Sequence, residues 1–121
     1  MTYDTNNIFA KILRGEIPCK KIYDDEYVLS FYDVNPQKKI HALVIPKGKY
    51  IDLDGFNAKA SDKEIVGLLK GISIVAKKLG ISLDMGKGYR TLSNLSEDGG
   101  QEVLHLHFHL FGGERIGKMV Q

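Results

Sequence analysis

Three of the four histidines in this chain of 121 residues fall within nine positions, "HLHFHLFGG" from His105 to Gly113. They alternate with Leu106, Phe108 and Leu110. Alternation with a period of two marks a β-strand, on which successive side chains point to opposite faces. His105, His107 and His109 are therefore expected on one face, their roots roughly 6.6 Å apart. The apolar residues take the other face, where a core can cover them. Three neighbouring imidazoles make a costly scaffold. If charged they repel one another, and if neutral and buried each needs hydrogen-bond partners. The histidine face reads as one that is used.

Two chemistries fit such a face. Histidine is the commonest zinc ligand, and catalytic zinc sites can take three of them. Three positions on one nearly straight strand converge poorly on one ion, so His41 would have to complete the set. The second chemistry is nucleophilic attack on phosphorus. A neutral imidazole nitrogen can displace a leaving group from a phosphoryl centre, and water then resolves the covalent intermediate. Flanking imidazoles would donate protons to the non-bridging oxygens. The preceding "DGGQE" favours this reading, because Gly99 and Gly100 can bring bare N–H groups close to an anion.

Composition narrows the partners. Net charge is only +2, and the lysines come as scattered pairs such as Lys20-Lys21 and Lys77-Lys78. No basic tract suited to a nucleic-acid polymer is present, while a small anionic ligand stays open. Cys19 is the single cysteine, which excludes an intrachain disulfide and a Cys-based metal site and suits a reducing compartment. The start, "MTYDTNNIFAK", lacks the apolar core of a signal peptide. No apolar run approaches the ~20 residues that span a bilayer. The expectation is one cytoplasmic domain over residues 1–121, without a membrane partner.

Elements that could position the histidines follow from local signals. Asn6 or Asn7 can cap a short helix over "IFAKILR", with Gly15 at its end. "KKIY", "YVLSFYD" and "HALVIP" read as strands, the first two joined as a hairpin by "DDE". "KGKYIDLDGFNAKA" reads as irregular. Ser61 and Glu64 form a capping-box pattern. Behind them Ile65, Leu68, Leu69, Ile72, Val75, Ala76 and Leu79 make a helical stripe that ends at Gly80. "GYRTLSNL" is a fourth strand, "SEDGGQE" a loop, and the histidine segment the fifth strand. This order predicts an α+β domain with a mostly antiparallel five-stranded sheet, one short helix and one long helix.

With these residues in view, the sequence resembles the histidine triad (HIT) family. "HLHFHLF" matches its His-φ-His-φ-His-φ-φ signature, where φ is apolar. "IFAKILRGEIP", "FYDVNPQ", "HALVIPK" and "SEDGGQEVLHLHFHLFGG" look like segments of its Hint branch, the purine nucleoside phosphoramidate hydrolases. The resemblance covers roughly residues 7 to 113. It implies a HIT-like fold, a homodimer whose sheets join, and cleavage of AMP–amine compounds to AMP or GMP through a nucleotidyl-histidine. By resemblance the nucleophile is His107. His109 would protonate the leaving group, with His105 and His41 tuning charge and orientation. Asn94, Gly100, Gln101 and Glu102 would meet the phosphate, and Asp33, beside Val34, the ribose. Ile8, Phe9, Ile12, Ile17, Phe31 and Leu43 would wall the purine. No cofactor is required by this scheme, although zinc remains an alternative. Glu102 stands where some Hint proteins have Ser, and "ERIGKMVQ" makes a short tail, so leaving-group specificity stays open. The rivals are a Fhit-like dinucleoside polyphosphate hydrolase and a non-catalytic nucleotide-binding or scaffold protein.

Overall fold

Asn7 opens the first helix, α1 (Ile8–Leu13), its side chain accepting the Ala10 N–H at 2.9 Å, as an N-cap does. Gly15 follows at φ +80°, the left-handed conformation that glycine supplies without strain. This computed structural model describes residues 2–120. Strands β1 (Lys21–Asp24), β2 (Val28–Tyr32) and β3 (Ile40–Pro46) come next, then helices α2 (Leu53–Lys59) and α3 (Asp62–Lys78). Strand β4 (Arg90–Leu92), a single helical turn α4 (Ser96–Gly99) and β5 (Phe108–Gly112) complete the order. The five strands form one sheet, β1-β2-β3-β5-β4, antiparallel at every pairing.

The expected capping box is present on α3: Ser61 Oγ accepts the Glu64 N–H, and the Glu64 carboxylate accepts the Ser61 N–H. The helix buries Leu68, Ile72, Val75 and Ala76 against Val28, Ala42, Val44, Leu106 and Leu110 of the sheet side. Gly71 makes the approach close, since a Cβ there would stand 2.9 Å from Val28 Cγ2. The opposite face of the sheet carries a smaller cluster of Phe9, Leu29, Phe31, Leu43 and Ile45, under α1.

Several expectations need correction. The helix count is larger than one short and one long. The stretch taken as irregular holds α2, capped by the Asp52 carboxylate and anchored by buried Phe56. "SEDGGQE" is not simply a loop, because it contains the turn α4. Leu69 leaves the predicted stripe and is exposed, as are Val66 and Ile74. The fourth strand shrinks to three residues. The fifth begins only at Phe108, so His105 and His107 precede it in unladdered backbone. Their segment is pinned instead by the Leu106 N–H on Tyr50 O at 2.8 Å. The alternation of faces survives without the ladder: Leu106 and Leu110 face α3, while His107 and His109 line a cleft on the other side.

Candidate active site

The cleft holds about 530 Å³, within the range that encloses a small ligand. Besides His107 and His109, its walls come from four places. Helix α1 supplies Ile8, Phe9 and Ile12; the following segment supplies Ile17 and Cys19; β2 and β3 supply Phe31, His41 and Leu43; the stretch around α4 supplies Asn94, Gly100 and Glu102. Asp33 and Val34 form its lip. Of the sequence candidates, His105 and Gln101 do not line the cleft. Cys19 lies two residues before β1 begins, and it faces the cleft.

Each histidine has a definite hydrogen-bond role. His105 is fully buried, and its Nε2 lies 2.8 Å from Pro46 O, which can only accept, so Nε2 carries the proton. Its Nδ1 accepts the Tyr3 hydroxyl at 2.6 Å. His107 Nδ1 donates to the carbonyl of His105 at 2.8 Å. A neutral imidazole has one N–H, so His107 Nε2 keeps a bare lone pair. The Gln37 N–H donates to His41 Nδ1 at 3.1 Å, which leaves the proton of His41 on Nε2. That Nε2–H reaches His109 Nδ1 at 2.9 Å, and the proton of His109 falls to its own Nε2.

Burial keeps all four rings neutral. It lowers His105 to about 4 despite the Pro46 carbonyl, which works the other way. It lowers His109 to about 4, helped by the repulsion that protonated His107 and His41 would exert. His107 and His41 are also lowered by burial, while the Asp33 carboxylate opposes the shift at both. Phe9 stands edge-on to His107 with ring centroids 5.0 Å apart, and Phe111 lies parallel to His109 at 5.6 Å. These aromatic walls add to the desolvation of His107 and His109.

Backbone groups near α4 differ from expectation. The Gly99, Gly100 and Gln101 N–H groups close the turn on Leu95, Glu97 and Ser96 carbonyls, so they are not bare. Among the described residues no partner is found for the Glu102 N–H. The Gln101 side chain acts as a strut: its amide donates to Ile51 O and Val103 O, and its oxygen accepts the Ser96 N–H. Two more supports, Ser93 and Thr91, donate hydroxyls to the His107 and His109 carbonyls at 2.8 Å. Neither these nor Tyr3 announced itself in the sequence.

Asp33, His41 and His109 bring one possible ligand atom each within 4.8 Å of one another. The donor set does not fit a cation. A metal would need the lone pair of His41 Nε2, yet the Gln37 N–H on Nδ1 forces the proton onto that nitrogen. Binding would require breaking the bond that orients the ring.

An open cleft carrying a bare imidazole nitrogen on an α+β sheet of this topology defines a class, and comparison with known proteins agrees. The HIT domain model matches residues 14–116. An uncharacterized 13.2 kDa HIT-like protein of Azospirillum brasilense is 54% identical over 119 residues, covering 98% of this chain and 95% of the relative. The solved histidine triad protein of Clostridium difficile is 38% identical with a TM-score of 0.81, covering 97% of this chain and 98% of that one. A structure described as a HIT family hydrolase from Clostridium thermocellum is 34% identical with a TM-score of 0.84, covering 96% and 97%. The chain belongs to the HIT family and has its α+β fold.

Proposed function

We propose that the protein is a nucleotide hydrolase that cleaves purine nucleoside phosphoramidates and releases AMP or GMP. The observation that carries this reading is the His107 Nδ1–H bond to the His105 carbonyl, which presents a neutral, bare Nε2 to the cleft. In the first step His107 Nε2 bonds to phosphorus, the P–N bond breaks, and the amine leaves with the Nε2 proton of His109, which has taken up a second proton from solvent and so ends the step neutral. The His105 carbonyl stabilises the positive charge that grows on the His107 ring. In the second step water attacks phosphorus, giving its proton back to His109. The P–Nε2 bond breaks and the nucleoside monophosphate departs. Asp33 accepts the ribose hydroxyls as a carboxylate, and the walls of Ile8, Phe9, Ile12, Ile17, Phe31 and Leu43 receive the purine.

Charge favours this substrate over a dinucleoside polyphosphate. The cleft lining includes Asp33 and Glu102 and no lysine or arginine. Such a site has nothing to neutralise a chain of phosphates, whereas one phosphoramidate monoanion needs only neutral donors. No metal is assigned a step. A homodimer is part of the reading. The outer side of α3 exposes Val66, Leu69 and Ile74, and β4 is a free sheet edge that pairing would cover. No helix among the described residues is long and apolar enough to cross a membrane. The free thiol of Cys19 suits the reducing cytoplasm. The test is turnover of adenosine 5′-phosphoramidate beside diadenosine polyphosphate, with the stereochemistry at a chiral phosphorus. Two in-line displacements retain configuration. Inversion, or faster cleavage of the polyphosphate, would overturn the proposal.

A further inference from the structure

One proton in the cleft is hydrogen-bonded to one acceptor and has a carboxylate beside it. His41 Nε2–H lies 2.9 Å from His109 Nδ1 and 3.4 Å from Asp33 Oδ2. The loop after β2 holds this arrangement from several sides. Asp33 N–H donates to His41 O at 3.0 Å, Asn35 N–H donates to Asp33 Oδ1 at 2.8 Å, and the Gln37 N–H occupies His41 Nδ1. The carboxylate is therefore tied beside the ring, and the His41 side chain is only 2% exposed against 19% for Asp33. What is left of the carboxylate opens to the cleft.

The competition bears on His109. While the His41 Nε2–H leans toward the carboxylate, its bond to His109 Nδ1 weakens. The single proton of His109 can then sit on either nitrogen. Only the Nε2–H form can protonate a leaving group in the cleft. A ligand that takes up the carboxylate charge ends the competition, and charge-assisted hydrogen bonds from two hydroxyls do so.

We propose that Asp33 couples sugar recognition to catalysis: a ribose diol occupying its carboxylate releases the His41 Nε2–H to His109, which fixes the His109 proton on Nε2. Asp33 is here a positioning residue acting through His41, and the proposal rests on the nucleotide reading of the cleft. A ligand shifts such an equilibrium only by touching one state differently. The diol meets that condition because it bonds the very oxygen that competes. Ribose would then contribute to rate as well as to affinity.

The experiment follows the His109 ring nitrogens by 15N NMR in the intact protein, titrated with adenosine and with 2′,3′-dideoxyadenosine. Adenosine is expected to move His109 toward the Nε2–H tautomer, and the dideoxy compound to bind without doing so. In turnover, the dideoxy analogue of adenosine 5′-phosphoramidate should lose roughly three- to tenfold in kcat, the size of one net hydrogen bond, beyond any rise in KM. In Asp33→Asn the ribo and dideoxy substrates should share one kcat. A dideoxy effect confined to KM, with the His109 spectrum indifferent to the sugar, would overturn the coupling and leave the ribose site intact. No difference between the sugars in KM, kcat or spectrum would overturn the ribose reading and this inference with it.

Discussion

The same strands build both faces of the sheet, yet the faces have opposite contents. Toward α3, β2, β3 and β5 send Val28, Ala42, Val44 and Leu110, and a long helix seals them. Toward the cleft, β3 and β5 send His41, Leu43 and His109, and the six residues of α1 with a few loop segments cover only part of that side. A face that a helix closes can be wholly apolar. A face left partly open can hold imidazoles, because its walls desolvate them while a ligand still reaches them. The sealed face stabilises the frame that fixes the open one.

Each face makes its own forecast, and the largest concerns the open one. His107→Ala should lose roughly 10⁴-fold or more in kcat, the scale of removing a covalent nucleophile, while still binding AMP and keeping its melting temperature. Near-normal turnover would end the division of labour. On the sealed face, Leu68→Ala should cost about 2–5 kcal/mol by denaturant titration, the range for buried leucine. Its kcat should stay near that of the parent at temperatures where both are folded. A loss of activity without a loss of stability would put the two faces in direct contact.

Acid should act through the buried imidazoles. The folded His105 is held at about 4, below its ordinary unfolded value of about 6.5, so protons favour the unfolded chain between these values. Stability is full above the unfolded value and falls as pH drops toward about 4. His105 alone accounts for on the order of 3 kcal/mol of that fall. A melting temperature flat across that window would contradict the neutral assignment. Tyr3→Phe removes the donor to buried His105 Nδ1 and should cost about 1–3 kcal/mol, measured by thermal unfolding. Least disruptive is Leu69→Ser, where the side chain is exposed. Within a single chain it should change stability by less than about 0.5 kcal/mol, and analytical ultracentrifugation should show weaker self-association.

How much of this the sequence discloses depends on the range of the interaction. Caps are local, so Asn7, Ser61 and Glu64 are legible within three or four residues. Facing is also local, and the alternation through His109 correctly separates Leu106 and Leu110 from the imidazoles. Pairing is not local. Strand β5 starts at Phe108 because β3 supplies partners only to Val44 and β4 is three residues long. Helix α2 left a trace in Asp52, Leu53 and Phe56, obscured by two glycines, Gly48 and Gly55, in a short stretch. The Tyr3 bond to His105 spans 102 positions, and no pattern in the chain could announce it. The 3.4 Å approach of Asp33 to His41 is equally hidden, since loop residues chosen to hold a sugar and residues chosen to steer a proton look alike.

The partner that fixes the His107 tautomer belongs to the peptide chain. Every amino acid brings the same carbonyl to position 105, so no single substitution deletes it, and no acidity in the ordinary range titrates it. A triad oriented by an aspartate side chain offers mutation a second target besides the nucleophile, whereas here the orienting group is copied faithfully whatever codon stands there. His105→Ala should accordingly leave a turning, if slower, enzyme. Mutational scans of the segment should find the loss of turnover concentrated at position 107, with position 105 constrained through stability by the space it fills and by its bonds to Pro46 and Tyr3.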